Sequence, residues 1–177
     1  VATPIGNLND ISLRALETLK NVQVIACEDT RTSKVLLDKF EIKNKLLISY
    51  HKFNEQESSQ NIINLASEGK DIAVISDAGM PGISDPGNIL AKKLVEAKID
   101  FTVIPGASAL TTALVLSGFD SRNFFFAGFL PEKKVEKDKL LSQISTLSST
   151  LIFYVSSHNI KKDIQYLFEQ LGNRKAC

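Results

Sequence analysis

The sequence predicts an α/β fold in which a mostly parallel sheet carries helices on both faces. Short apolar runs alternate with segments of helical spacing from residue 1 to about 118, which is the pattern of strands joined by crossover helices. Three strand-to-helix junctions carry long loops of small and turn-forming residues, with the sequences ATPIGN, SDAGMPGISDPG and IPGASA. Because parallel strands end at one edge of a sheet, these loops should converge there.

The elements of the first domain follow from the spacing of its apolar residues. The opening VAT is typical of the end of a strand, and a turn follows at 4–6. The later strands are predicted at 22–27, 46–50, 72–75 and 100–104. The helices are predicted at 10–20, 33–40, 57–67, 88–97 and 107–117. Either Asp10 or Ser12 can cap the first helix.

A second, smaller domain is predicted after the GFDS segment at 118–121. We assign residues 1–118 to an N-terminal α/β domain and residues 122–177 to a partial C-terminal α/β domain with a mixed sheet. The strands of this second domain are predicted at 123–127 and 150–155, and its helices at 131–145 and 161–171. A piece this short buries a thin core, and the chain opens on Val1 rather than a methionine, so we expect the natural protein to be longer.

Composition and motifs narrow the functional class. The chain has 177 residues, 44% hydrophobic and 23% charged, as in soluble globular proteins. Because its formal net charge is only +1, any contact with RNA needs a local basic patch rather than the net charge of the chain. Cys27 and Cys177 match no metal-site spacing and predict a reducing cytoplasm without a disulfide. No membrane-spanning stretch or signal peptide is recognisable, and the phosphate-binding motifs of NAD enzymes and P-loop NTPases are absent.

The loop at 76–87 follows a buried strand and contains three glycines, two prolines and two aspartates. This composition predicts a loop of definite shape. Such a loop can bind a ligand with its backbone or simply connect the strand to a helix, and the residues alone leave both possibilities open. The same holds for Ala107, Ser108 and Ala109, which can admit a flat ligand at a helix start or pack the helix closely on the sheet.

A charged group, Glu28-Asp29-Thr30-Arg31, follows a predicted strand directly. Adjacent carboxylates beside an arginine suit a general base or substrate positioning. The alternative is a capping cluster in which Asp29 or Thr30 caps the next helix and Arg31 pairs with Glu28. His51 ends another strand at the same edge and can line the site. A metal site is not predicted, because no second histidine or cysteine lies nearby.

Five segments, VATPIGNLNDIS, ACEDTR, SDAGMPGISDPG, PGASA and GFLP, follow one another along the chain. In this order they resemble the small-subunit ribosomal RNA cytidine-2′-O-methyltransferases of the tetrapyrrole (corrin/porphyrin) methylase superfamily, and the match covers essentially the whole chain. The resemblance implies that S-adenosylmethionine is held in a cleft between two α/β domains. It also implies a homodimer, and a substrate that is small-subunit ribosomal RNA or the assembled small subunit.

The resemblance further implies which residues contact the cofactor. Most of them lie in the three loops, at Pro4, Asp77, Ala78, Gly79, Gly82, Ile83, Ser84, Ser108 and Ala109. Val155 would face the cofactor from the second domain. Because a bulky adenosyl ligand needs close approach of the backbone, we expect Gly79→Val to abolish cofactor binding while the fold stays largely intact, and we expect Asp77 to hold the loop or contact the cofactor.

On the substrate side, methyl transfer to a ribose hydroxyl needs that hydroxyl oriented and its proton removed. Glu28 or Asp29 would orient the hydroxyl or accept its proton. Arg31 would hold a phosphate or a carboxylate, and His51 completes the set of catalytic candidates.

One segment departs from the family pattern. FYVSSHN has Val155 and Asn159 where an acid and an arginine are expected, which weakens the case for RNA contacts there. Two other functions therefore stay open. A small-molecule methylase acting on a tetrapyrrole would share the fold, although ATPIGN and EDTR favour RNA. A non-catalytic module that binds cofactor or RNA would fit the departure.

Overall fold

A computed structural model describes residues 1–177 of the chain. The chain divides into two compact units, Val1–Ala109 and Leu110–Cys177, and each unit contains a parallel sheet and helices. The predicted α/β class is therefore confirmed. The boundary between the two units falls after residue 109, near the start of the helix predicted at 107–117. The sequence analysis placed the boundary after that helix, at 118–122.

The first unit is built on a sheet of three parallel strands, β1 (Val24–Cys27), β2 (Leu46–Ser49) and β3 (Ile72–Ile75). Their order is β2-β1-β3, so β1 is central, and all four of its residues are buried. The register pairs Cys27 with both Ser49 and Ile75. The three strands therefore end level with one another, and the segments that follow them start at one edge.

Helices cover both faces of this sheet, as predicted. They are α1 (Leu13–Asn21), α2 (Thr30–Lys39), α3 (Glu55–Ser67) and α4 (Asn88–Glu96). Because side chains alternate along a strand, neighbouring β1 residues belong to different apolar clusters. Ile25 packs with Leu19 of α1 and Leu37 of α2, whereas Ala26 packs with Ile62 of α3 and Leu90 of α4.

Polar residues set the starts of two of these helices. The Ser12 side chain accepts a hydrogen bond from the Ala15 N–H and caps α1, which confirms one of the two predicted caps. The Asp29 side chain accepts from the Arg31 N–H and caps α2. Because of this cap, α2 begins at Thr30, earlier than the predicted start at residue 33.

The strand predicted at 100–104 is not formed, and the prediction was wrong. The opening VAT segment does run beside this stretch, where the Ala2 N–H donates to the Ile104 carbonyl over 3.0 Å. However, Thr3 pairs with Gly79 in an isolated antiparallel bridge instead. The short opening segment thus divides its hydrogen bonds between two partners, and neither pairing extends into a ladder.

The second unit contains β4 (Phe124–Phe129), α6 (Lys134–Ile144), β5 (Thr150–Tyr154) and α7 (Ile160–Leu171), and α5 (Ala109–Ser117) begins at the boundary. Its two strands are parallel, with a bulge between Phe126 and Gly128, where the sequence predicted a mixed sheet. A partly buried ion pair between Lys137 and Asp163 joins α6 to α7. Across the chain, every helix is too short or too polar to cross a lipid bilayer.

Candidate functional site

The first loop and the loop after β3 are joined at the carboxyl edge of the first sheet. The Thr3 N–H donates to the Gly79 carbonyl over 2.8 Å, and the Gly79 N–H donates back to the Thr3 carbonyl over 3.1 Å. The Thr3 hydroxyl also donates to the Ser76 carbonyl over 3.1 Å. With the Ala2 contact to Ile104, these bonds confirm that the three loops converge.

Gly79 has a structural role in this joint as well as its predicted place at the cofactor. Its φ is +83°, in the left-handed region that a β-branched residue adopts only under strain. Both its backbone polar groups are engaged by Thr3. We therefore expect Gly79→Val to strain the loop itself, which corrects the earlier expectation that this change would spare the fold.

The second half of the loop after β3 is a tight turn. The Gly82 N–H donates to the Pro86 carbonyl over 3.1 Å, and a Cβ added at Gly87 would lie 3.0 Å from the Gly82 backbone. Between them, Ser84 has a φ of +64° and is exposed. A non-glycine residue in this region costs about 1 kcal/mol or more, and such positions cluster at ligand sites. Ser84 was among the predicted cofactor contacts.

One carboxylate holds the far end of this turn. Glu55 Oε1 accepts from the Tyr50 hydroxyl over 2.9 Å, from the Gly87 N–H over 2.8 Å and from the Ile89 N–H over 3.3 Å. It thus satisfies orphan N–H groups at the start of α4 and places negative charge at a helix N-terminus. Burial, together with this carboxylate, raises the pKa of the Tyr50 hydroxyl.

Three carboxyl groups share the edge between these loops. Burial, followed by the nearby Asp85 and Asp77 charges, raises the pKa of Glu28, while the Asp77 N–H and His51 act in the opposite direction. Burial also raises the pKa of Asp85, with Asp77 adding to the rise and a Ser76 hydrogen bond opposing it. Two of the three acids therefore keep their protons to a higher pH than ordinary carboxyls.

Asp29 is adjacent to Glu28 in sequence, but its surroundings lower the pKa of its carboxyl group instead of raising it. Its carboxylate accepts from Arg31 Nε over 3.1 Å and from Nη2 over 2.7 Å, and these bonds together with the α2 cap lower its pKa to about 2. The predicted capping cluster is thus present, with Arg31 paired to Asp29 rather than to Glu28. The Asp29 N–H donates to Asp77 Oδ1 over 3.1 Å, which ties the two loops together.

His51 lies close enough to Glu28 to influence its pKa. Its backbone N–H donates to Asn54 Oδ1 over 2.8 Å, and its Nδ1 accepts from the Phe53 N–H over 3.3 Å. Since Nδ1 is an acceptor, the neutral ring carries its proton on Nε2. The structure therefore brings Glu28, Asp77 and His51 to one edge, as the sequence predicted.

An open cavity of about 260 Å³ lies between the first loop and α2. Its walls are Thr3 and Pro4 from the first loop, Leu8 from the short 3-10 helix Leu8–Asp10, Thr32, Ser33, Val35 and Leu36 from α2, and Ile75, Ser76 and Asp77 at the end of β3 and just after it. Pro4, a predicted cofactor contact, is buried in this wall.

The other predicted residues are distributed along both units. Ala78 and Ile83 are exposed on the loop after β3, and Ser108 and Ala109 lie at the start of α5. Val155 follows β5 in the second unit. Sequence reasoning missed Asp85 and Glu55 as parts of the edge. The one available signal was the position of Asp85 in the SDPG turn, since Glu55 looks like an ordinary helix residue.

Comparison with known proteins identifies the family. Residues 1–176 match the family Tetrapyrrole (Corrin/Porphyrin) Methylases. The chain belongs to this family. The fold agrees, since the chain superposes on diphthine synthase with a TM-score of 0.74 at 15% identity, covering 96% of this chain and 70% of that one. The uroporphyrin-III-C-methyltransferase of Thermus thermophilus gives a TM-score of 0.66 at 20% identity, covering 97% and 72%.

Several relatives at higher identity carry the name ribosomal RNA small subunit methyltransferase I. The protein from Mycoplasmopsis pulmonis is 49% identical over 97% of this chain and 76% of its own length. The protein from Halalkalibacterium halodurans is 45% identical over 98% of this chain and 60% of its own length. The resemblance found in the motifs is confirmed, and the chain spans between three fifths and about three quarters of these relatives.

Replacement of Glu55 tests the anchor of the turn. Glu55→Ala leaves the buried Tyr50 hydroxyl and the start of α4 without their acceptor, so we expect the free energy of unfolding to fall by about 1–3 kcal/mol. Urea denaturation measures this change. Glu57→Ala, an exposed change in the same helical turn, should stay within about 0.5 kcal/mol of the parent. Equal stabilities for the two variants would show that the hydrogen bonds accepted by Glu55 do not stabilise the fold.

Proposed function

We propose that this chain is the part of an S-adenosylmethionine-dependent methyltransferase that methylates the 2′-hydroxyl of a cytidine ribose in small-subunit ribosomal RNA. Relatives named ribosomal RNA small subunit methyltransferase I are 45% and 49% identical to it over nearly the whole chain. The observation that carries the proposal is the environment of Glu28, a carboxyl with a raised pKa at the edge where the three loops meet. A base of this kind suits removal of a hydroxyl proton.

The residues at this edge fit the proposed cofactor. S-adenosylmethionine supplies an electrophilic methyl group on a positively charged sulfonium, and the three carboxyl groups Glu28, Asp77 and Asp85 give the edge the opposite charge. Asp77, Ala78, Ile83 and Ser84 are exposed along the loop and would hold the cofactor together with Pro4, Gly79, Gly82, Ser108 and Ala109. A contact from Val155 in the second unit completes the proposed set.

Glu28 is the better of the two candidate bases. An effective general base has a pKa near the working pH, which burial and neighbouring charges can achieve for a glutamate. The pKa of Glu28 is raised, whereas that of Asp29 is held at about 2 by the Arg31 side chain. Asp29 is therefore a weak proton acceptor, and we assign it to the α2 cap and to holding Arg31.

Arg31 and His51 complete the substrate side. The Arg31 side chain is 90% exposed and uses two of its five N–H donors on Asp29. The remaining donors can hold a backbone phosphate of RNA, for which a planar guanidinium is well suited. His51, with its proton on Nε2, would orient the ribose hydroxyl beside Glu28.

The substrate class is tested by direct transfer of label. The complete protein is incubated with methyl-labelled S-adenosylmethionine and, in separate reactions, naked small-subunit ribosomal RNA, assembled small subunits or a porphyrin precursor. We expect label on RNA or on the assembled subunits, at a ribose 2′-oxygen of a cytidine. Label on the porphyrin precursor would identify a tetrapyrrole methylase, and label on no substrate would favour a binding module.

The choice of base is tested by two amide substitutions. Glu28→Gln should lower kcat/KM by about 100-fold or more, the usual contribution of a general base. Asp29→Asn should cost less than tenfold, because asparagine is also a good N-cap. Larger loss in the Asp29 variant would reverse the assignment. In the parent, kcat/KM should fall as the pH drops through the raised pKa of Glu28.

Stability serves as the control for Glu28→Gln. A carboxyl whose pKa is higher in the folded chain than in the unfolded chain binds more protons when folded, so it lowers stability as the pH rises through that interval. Glutamine removes this dependence. We therefore expect the unfolding midpoint of Glu28→Gln at pH 7 to equal or exceed that of the parent, so that its loss of activity does not arise from unfolding.

A further inference from the structure

The turn between β2 and α3 presents an aromatic ring to solvent. Phe53 has 85% of its surface exposed, and it lies in the tight turn 51–54, which the Asn54 N–H closes by donating to the His51 carbonyl over 3.0 Å. A single exposed apolar side chain is common on protein surfaces. Phe53 differs from the common case because its neighbours hold it in place and because of where the turn lies.

Three contacts hold Phe53 in this position. Its N–H donates to His51 Nδ1 over 3.3 Å, and the two rings meet edge to face with their centroids 6.0 Å apart. Lys52 Nζ lies 4.8 Å from the centroid of the Phe53 ring, within the range of a cation–π contact. The Asn54 side chain fixes the turn itself, since it accepts from the His51 N–H over 2.8 Å and donates to the Ser49 carbonyl over 3.2 Å. An exposed ring that is already ordered loses little freedom when a ligand binds to it.

The turn lies beside Glu28, on the side away from the loop after β3. In the sheet order β2-β1-β3, Glu28 follows the central strand, and the turn and the loop after β3 follow the two outer strands. The Tyr50 N–H donates to the Cys27 carbonyl over 2.9 Å, which brings the start of the turn next to Glu28, and the His51 charge acts on the Glu28 carboxyl. The loop after β3 carries most of the proposed cofactor contacts, so the turn is placed to meet the substrate.

The side chains of the turn match the chemistry of single-stranded RNA. Lys52 is exposed and cationic, as contact with a phosphate requires, and Phe53 offers an aromatic surface on which a base can stack. Proteins that bind single strands combine these two features, and unpaired RNA bases commonly stack on phenylalanine. A stable protein partner would instead need a larger interface with an apolar centre, whereas this turn offers one exposed ring.

We propose that the turn 51–54 binds single-stranded RNA, with Phe53 stacking on a base of the strand that carries the target ribose and Lys52 pairing with a phosphate of that strand. The inference rests on the proposed function and adds to it a surface that holds the substrate. Phe53 and Lys52 are here substrate-binding residues, and Glu28 keeps the proton transfer.

Substitutions of Phe53 test the stacking contact. The dissociation constant of the complete protein is measured at one fixed salt concentration for a labelled single-stranded RNA oligonucleotide of mixed sequence and for the same strand annealed to its complement. Phe53→Ala and Phe53→Leu should weaken binding of the single strand by about five- to 100-fold, since both remove the aromatic face. Phe53→Tyr should stay within about twofold of the parent, because it keeps that face. On the duplex, whose bases are already stacked on one another, all four proteins should be equal.

Phe101→Ala is the matched control. Phe101 is also an exposed phenylalanine, with 51% of its surface accessible, but it follows α4, the helix that returns the chain to the other edge of the sheet. This variant should bind the single strand as the parent does. Because Phe53 is exposed, Phe53→Ala should unfold at the same urea concentration as the parent.

The phosphate contact is tested by the salt dependence of binding. Lys52→Gln should lower the slope of log K against log salt for the single strand by about 0.7, the value of one phosphate contact. Lys39→Gln removes an exposed lysine from the last turn of α2 and should leave the slope unchanged. A slope that does not change in Lys52→Gln would remove Lys52 from the proposed surface.

The remaining outcomes separate the possible failures. Full affinity of Phe53→Ala or of Phe53→Leu for the single strand would overturn the stacking contact, as would an equal loss on strand and duplex. If Phe53→Ala binds isolated RNA normally and loses affinity only for assembled small subunits, the turn contacts a ribosomal protein and the inference is wrong. A parent that binds no single strand also contradicts it, while label transfer to assembled subunits decides the proposed function separately.

Discussion

The reciprocal hydrogen bonds between Thr3 and Gly79 hold together the sheet edge at which the candidate site lies. They form at Gly79, whose backbone is in the left-handed region, and they hold the first loop against the residues that follow β3. The first loop supplies one wall of the cavity. Asp77, which follows β3 at the same edge, accepts a hydrogen bond from the Asp29 N–H after β1. Because the three strands end level with one another, the loops that follow them start close together. These hydrogen bonds then fix the loops relative to each other in one surface.

Electrostatics then gives neighbouring acids on this surface different roles. Glu28 and Asp29 are consecutive, yet burial and two other carboxyl groups raise the pKa of Glu28, whereas the Arg31 side chain lowers that of Asp29 to about 2. Pairs of acids whose environments push their pKa values apart are a usual basis for dividing catalytic tasks. Here one acid is suited to accept a proton, and the other remains charged and holds a helix start and an arginine.

The sequence predicted the features that depend on local pattern, and it failed where tertiary contacts decide. The spacing of apolar residues located β1 to β3 and the helices on both faces, because the side chains that face the core recur with the period of the strand or helix. The strand at 100–104 was predicted from the same kind of run but lacks a partner that pairs along its length. Asp85 and Glu55 were missed because their relevance comes from burial and from neighbours distant in sequence, which a single pattern does not encode.

The central claim is that the environment of Glu28 makes it the proton acceptor at this edge. Carbon-13 NMR of labelled glutamate carboxyl groups, with the Glu28 resonance identified by its loss in Glu28→Gln, measures this directly in a pH titration. The account predicts a midpoint clearly above the ordinary glutamate value of about 4.3, and a return toward that value in Asp85→Asn, because one of the neighbouring charges is then removed. A parent midpoint at or below the ordinary value would contradict it.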